Sequence, residues 1–180
     1  MPVFGPSAMA FDPTGKTLAT IGPNEPVPPD VGFPIGPLRL IDAASGEIRT
    51  LLDGFVVGFW WSPDGQTIAA LRVQPAISSA SGASPVPSPT PVDNEPRLVF
   101  VDVASGKVRS QPVVQPGQRF IDTFLIYFDQ YALSHRIWAP DSSSFVLPEA
   151  LPDGSTQLTV RFPDGEPPVV LDGDIGFWSP

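Results

Sequence analysis

Apolar residues occur in short runs separated by turn residues, and the three-and-four spacing of an amphipathic helix is almost absent. Residues 67–73 and 98–103 are such runs, bounded by clusters of Pro, Asp, Ser and Gly. Runs of this length with turn chemistry on both sides predict β-strands. The punctuation itself repeats. An aromatic-x-Pro signature stands at Phe11-Asp12-Pro13, Trp61-Ser62-Pro63, Trp138-Ala139-Pro140 and Trp178-Ser179-Pro180. A second element keeps step with it, at Asp42-Ala43-Ala44-Ser45-Gly46 and Asp102-Val103-Ala104-Ser105-Gly106, with a worn copy over residues 160–166. Units close on Leu51-Leu52-Asp53-Gly54 and again on Val170-Leu171-Asp172-Gly173.

Each unit therefore predicts four short strands. Strand A (57–62 in the second unit) ends on the aromatic, and a Pro-Asp-Gly turn leads into strand B (67–73). Strand C (98–103) then turns through Ala-Ser-Gly into strand D (108–114). The turn residues have physical reasons: Pro63 fixes its φ, Asp64 can bond nearby backbone amides, and Gly65 tolerates a positive φ. Proline-to-proline steps of 50, 77 and 40 residues make the last step the bare repeat and the surplus of the others insertions. Four antiparallel strands with one large aromatic every 40 or so residues are the pattern of a β-propeller blade. A two-layer sandwich would have no reason to repeat one turn and one aromatic in register. The expected fold is all-β, with blades over residues 5–54, 55–114 and 115–173, a truncated blade over 174–180, and a flexible Pro/Ser-rich loop over 74–95. Phe11, Trp61, Trp138 and Trp178 are expected to fill equivalent slots between blades.

The strings FWWSPDGQTIAAL (59–71), RIWAPDSSSFVL (136–147) and LRLIDAASGEIRTLLDG (38–54) resemble the TolB-like propeller repeat. In that repeat Trp-Ser-Pro-Asp-Gly precedes an apolar strand, and an Asp-x-x-Ser-Gly turn follows. The resemblance covers nearly all of the chain outside three insertions. It implies a propeller of six to eight blades, of which these would be three and the first strand of another. It leaves activity open, because such blades serve as periplasmic scaffolds, sensors or carbohydrate-active proteins, and lids of prolyl-oligopeptidase-like enzymes. The first copy departs from the pattern at Asp12 and Thr14 and the third at Asp141-Ser142, which is expected to loosen those turns.

Strands in a blade alternate in direction, so A–B and C–D turns share one face, and B–C and D–A connections share the other. Every insertion falls on the second face: 22–36, 74–95 and 115–134. Elaborated loops on a rigid scaffold are the usual seat of binding. The segment 78–91 is a Pro/Ser tract expected to be extended. The segment 119–136 is richer. It carries Phe120, Phe124 and Phe128 at helical spacing beside Tyr127, Asp129, Gln130, Tyr131, His135 and Arg136. It reads either as a short helix or as an extended strand A with a turn. Tyr127, Asp129, Gln130, Tyr131, His135 and Arg136 form the candidate ligand site; the plain alternative is that the aromatics plug the propeller and His135 bonds a neighbour.

A net charge of −9, with two lysines and eight scattered arginines, disfavours nucleic acid and anionic membrane surfaces. There is no cysteine, hence no disulfide or thiol chemistry. No apolar run approaches the length of a membrane-spanning helix, and residues 1–10 lack the features of a signal segment. Residues 10–17, Ala-Phe-Asp-Pro-Thr-Gly-Lys-Thr, match a relaxed phosphate-loop pattern, but Pro13 removes an amide and the register with 61–69 explains every position. A hydrolase constellation is missing: no Gly-x-Ser-x-Gly occurs, His135 is the single histidine, and Ser134 and His135 would diverge in a strand. Metal ligands for zinc are lacking, and Asp153-Gly154 and Asp172-Gly173 read as ordinary turns rather than calcium loops. The chain is therefore expected to be a non-catalytic binding or scaffold module without cofactor, located outside the cytoplasm. Its loop-rich face would contact a protein or glycan, and its blades the rest of a parent propeller. The alternatives are a gating propeller of a prolyl-oligopeptidase-like peptidase and a small-ligand sensor.

Overall fold

The computed structural model describes residues 7–23, 34–74, 95–131 and 134–179. Seven strands follow one another in a single antiparallel sheet: β1 (Ala8–Phe11), β2 (Thr17–Ile21), β3 (Gly36–Asp42), β4 (Ile48–Trp61), β5 (Thr67–Gln74), β6 (Glu95–Asp102) and β7 (Val108–Val113). β8 (Phe145–Ala150), β9 (Thr156–Arg161) and β10 (Val169–Asp172) form a second sheet.

β4 explains why two units read as one sheet. Its first part pairs with β3, from Ile41↔Ile48 to Gly36↔Val56, and its second part pairs with β5, from Phe55↔Val73 to Trp61↔Ile68, so Val56 is shared by both. One strand is thus the outer strand of the first unit and the inner strand of the second, with a register shift between Val56 and Gly58 within its pairing to β5. The boundary expected between residues 54 and 55 lies inside it. In the third unit a bridge between Trp138 and Phe145 supplies the inner position.

Register also sets the two faces of a unit. Trp61, Ile68 and Val101 lie on one face of the second unit and Trp60, Ala69 and Phe100 on the other. Phe100 packs on Trp138 and Phe145 with centroids 5.5 and 6.1 Å apart, and Trp60 lies 5.6 Å from Phe145. The back of the second unit therefore stacks on the front of the third. Successive four-stranded antiparallel units packed face to face are propeller blades. The fold is all-β, as the repeat implied.

The segment before the third blade is helical: α1 (Gln118–Thr123), a 3-10 turn (Leu125–Tyr127) and α2 (Phe128–Tyr131). Phe120, Phe124 and Phe128 recur every four residues, so they share one side and are all buried. Phe120 and Phe128 contact Trp60, and Phe128 meets Phe59 edge to face at 5.2 Å. Gly58 leaves room for this approach, since a Cβ at that position would sit 2.8 Å from Leu125 Cδ1 and 3.0 Å from the Trp60 ring, and one of them would have to shift.

The outer surfaces are less filled. On the open face of the first blade Met9 and Phe11 are 52% and 57% exposed, so Phe11 occupies no interblade slot among the described residues. Val169, Val170 and Leu171 of β10 are also exposed. Residues 24–33 and 75–94, the bulk of the two insertions joining strands B and C, lie outside the described residues.

Candidate functional site

The inner strands bring the repeated signature together. Trp61 Nε1 donates to the Ala10 carbonyl at 3.1 Å, and Trp138 Nε1 donates to the Trp60 carbonyl at 3.0 Å. Ala10 and Trp60 each precede the signature aromatic of the preceding blade, so the two bonds are one contact repeated. Trp178 departs from this. Its backbone amide donates to the Arg136 carbonyl at 2.7 Å, and its buried Nε1 has no partner among the described residues.

The turns after these aromatics are held by side chains acting on backbone. Ser62 Oγ accepts from Thr67 N at 2.9 Å, and Asp64 accepts from Gln66 N. In the first blade Asp12 stands where Ser62 does. One carboxylate accepts from Lys16 N, Thr17 N and Thr14 Oγ1, so the turn is reinforced where the sequence suggested loosening. Those are also amides a phosphate loop would need, and the strand β2 begins at Thr17. In the third blade Ser142 replaces Gly65 and takes φ 64°, the one positive φ outside glycine among the described residues. Its Oγ accepts from Asp64 N at 3.1 Å, tying the second and third turns.

Five turn carboxylates are held below the ordinary aspartate range. At Asp42 the cause is the Ser45 amide, then the Ser45 hydroxyl and Ala44 amide. Hydroxyl donation comes first at Asp102, Asp141 and Asp153, from Ser105, Ser143 and Ser155. At Asp12 burial pushes upward, and the hydrogen bonds from Thr14, Thr17 and Lys16 together outweigh it. These groups hold turns. Asp141 and Asp153 each bond a serine two residues on.

A cavity of about 310 Å³ opens where the strand A ends converge. Its walls are the rings of Phe11, Trp61 and Trp138, and its rim is Pro13, Pro63 and Pro140 of the three A–B turns. His135 and Arg136 supply its polar groups. Ser134 Oγ lies 2.8 Å from His135 Nδ1, and the ring sits 4.8 Å from Tyr131 and 4.7 Å from Phe177. Residues 134 and 135 are in a turn rather than a strand, which is why their side chains meet where the sequence suggested divergence. No triad results, because Asp141 is committed to Ser143.

Of the residues singled out from sequence, His135 and Arg136 line the cavity and Tyr131 backs His135. Tyr127 is 43% exposed, Asp129 accepts from its neighbour Gln130 N, and none of the three lines the cavity. Among the described residues no group of three or more His, Cys, Asp or Glu could hold a metal ion.

A second recurring contact was not anticipated. An Arg49 guanidinium N–H donates to the Val103 carbonyl, and Arg109 Nη1 donates to the Pro163 carbonyl at 2.7 Å. Each reaches from strand D to the C–D turn of the next blade. The signal was present as the arginine four residues after the turn serine, at Ser45–Arg49 and Ser105–Arg109.

No protein-family model matches the sequence, and no curated protein matches it. Solved structures do. A structure described as TolB of Agrobacterium tumefaciens superposes with TM-score 0.52 at 14% identity, over 89% of this chain and 44% of its own. TolB of Acinetobacter baumannii gives 0.50 at 15%, over 87% and 30%. Pyrococcus horikoshii acylaminoacyl peptidase gives 0.53 at 14%, over 94% and 25%. This chain thus spans less than half the length of each. At these identities the likeness establishes the fold alone: a TolB-like β-propeller architecture.

Proposed function

We propose that this chain is a non-catalytic binding module of a β-propeller, which docks a protein partner at the cavity where its inner strands end. The observation carrying this reading is the convergence of three repeated aromatics and three rim prolines with His135 and Arg136 around a cavity of about 310 Å³. Pockets with apolar walls and few polar groups are the usual form of a binding site. The loop-rich face remains part of the proposal as a further contact area. A glycan is the weaker occupant, since sugar hydroxyls need acceptors as well as donors, and among the described residues the cavity lining holds no Asp, Glu, Asn, Gln, Ser or Thr. The proposed location is outside the cytoplasm.

Photo-crosslinking tests the docking site. Benzoylphenylalanine at Phe11, exposed beside the cavity, is expected to capture one partner that the same group at Val170 on β10 does not. Equal capture from both positions contradicts the reading. A gating propeller of a peptidase is the second reading, favoured by the likeness to an acylaminoacyl peptidase. It requires that the chain, joined to a hydrolase domain, restrict substrate length, which a comparison of short and long peptide cleavage would reveal.

A further inference from the structure

The cavity has an electrostatic character opposite to that of the chain. The protein carries a net charge of −9, yet among the described residues the lining contains no carboxylate, and Arg136 is exposed at its edge and makes no ion pair. The indole N–H groups of Trp61 and Trp138 are both spent on blade-to-blade carbonyls. The half-buried Trp61 ring therefore offers apolar surface and no donor, while Trp138 is buried. His135 has its Nδ1 occupied by Ser134, which leaves Nε2. Arg136, with five N–H groups in a planar fork, is the strongest donor at the site.

We infer that the cavity reads an acidic side chain, Asp or Glu, flanked by an apolar residue in a segment of the protein partner. The aliphatic or aromatic neighbour would lie against Phe11 and Trp61, and the carboxylate would meet Arg136 in a charge-assisted pair. A chain-terminal carboxylate fits less well. Such termini are captured by nests of backbone N–H groups. Around the rim these groups are already used: Lys16 N and Thr17 N by Asp12, Thr67 N by Ser62, Asp64 N by Ser142. The inference rests on the reading of the cavity as a docking site.

The test uses the whole chain and three probes: acetyl-Phe-Glu-Phe-amide, acetyl-Phe-Gln-Phe-amide and N-acetylphenylalanine. Binding is followed by NMR shifts of the Trp61 and Trp138 indole signals. The Glu peptide is expected to bind about tenfold tighter than the Gln peptide, a preference of the size a charged hydrogen bond supplies. R136Q should abolish that difference while leaving the circular dichroism unchanged. Because the Glu and Gln peptides are compared on the unaltered protein, the test survives a variant that misfolds. Equal binding of both peptides overturns the acidic preference while sparing the docking site. Tighter binding of N-acetylphenylalanine than of the Glu peptide overturns the assignment to a side chain. No shift with any probe removes both the docking site and the inference.

Discussion

The seam between the first and second blades and the seam between the second and third are pinned alike and filled differently. Each has an indole N–H bond at the inner strand, from Trp61 or Trp138, and an arginine bond at the outer turn, from Arg49 or Arg109. The first seam has a half-buried Trp61 facing small residues such as Ala10. The second adds a cluster of Trp60, Phe100, Trp138 and Phe145, with the phenylalanines of α1 and α2 behind it. It also buries an ion pair, Arg161 Nε to Glu149 Oε1 at 2.7 Å. Polar contacts recurring with the repeat set blade geometry, whereas the apolar filling, which does not recur, sets how strongly each seam holds.

That contrast can be broken at several strengths. Trp138→Ala should destabilise by roughly 3 to 5 kcal/mol, through a cavity and an unpaired Trp60 carbonyl. Trp61→Ala should cost about half as much, measured by urea denaturation; equal costs would erase the distinction between the seams. Glu149→Ala leaves Arg161, 7% exposed in its side chain, without a partner and should cost about 3 kcal/mol. Arg49→Ala and Arg109→Ala should each cost about 1 kcal/mol or less, because both arginines are exposed and solvent replaces the lost bond. The turn aspartates give the mildest effect. Their folded pKa values lie below the unfolded value of about 3.9, so their contribution is present above that pH and fades as pH falls through the lowered values. The urea midpoint should therefore drop below pH 4, and Asp42→Asn with Asp102→Asn should flatten that drop.

Much of this was legible beforehand because turn chemistry is local. Asp42 and Asp102 bond serines three residues on, and Gly46 and Gly106 take φ near 70°, so the repeat announces itself in sequence. The phenylalanine spacing at 120, 124 and 128 allowed a helix, but choosing between helix and strand needed the partners Trp60 and Phe59, which come from another blade. The continuity of β4 was hidden because Asp53-Gly54 reads as a stop, and Gly54 instead takes φ 92° within a strand that carries on. For the site, His135 and Arg136 stood out by chemistry. Their convergence with Phe11 and Pro13 is a tertiary fact, as is the reach of Arg49 and Arg109 across 54 residues of chain.

The claim that one indole bond recurs from seam to seam is tested most directly by the indole proton shifts of protein labelled with ¹⁵N-tryptophan. Four indole signals are expected, from Trp60, Trp61, Trp138 and Trp178. The account predicts downfield indole proton shifts, the mark of a hydrogen-bonded N–H, for Trp61 and Trp138, and upfield ones for Trp60 and Trp178, whose buried Nε1 atoms have no partner among the described residues. Identical shifts for all four, or bonded behaviour at Trp178 and not at Trp61, would contradict it.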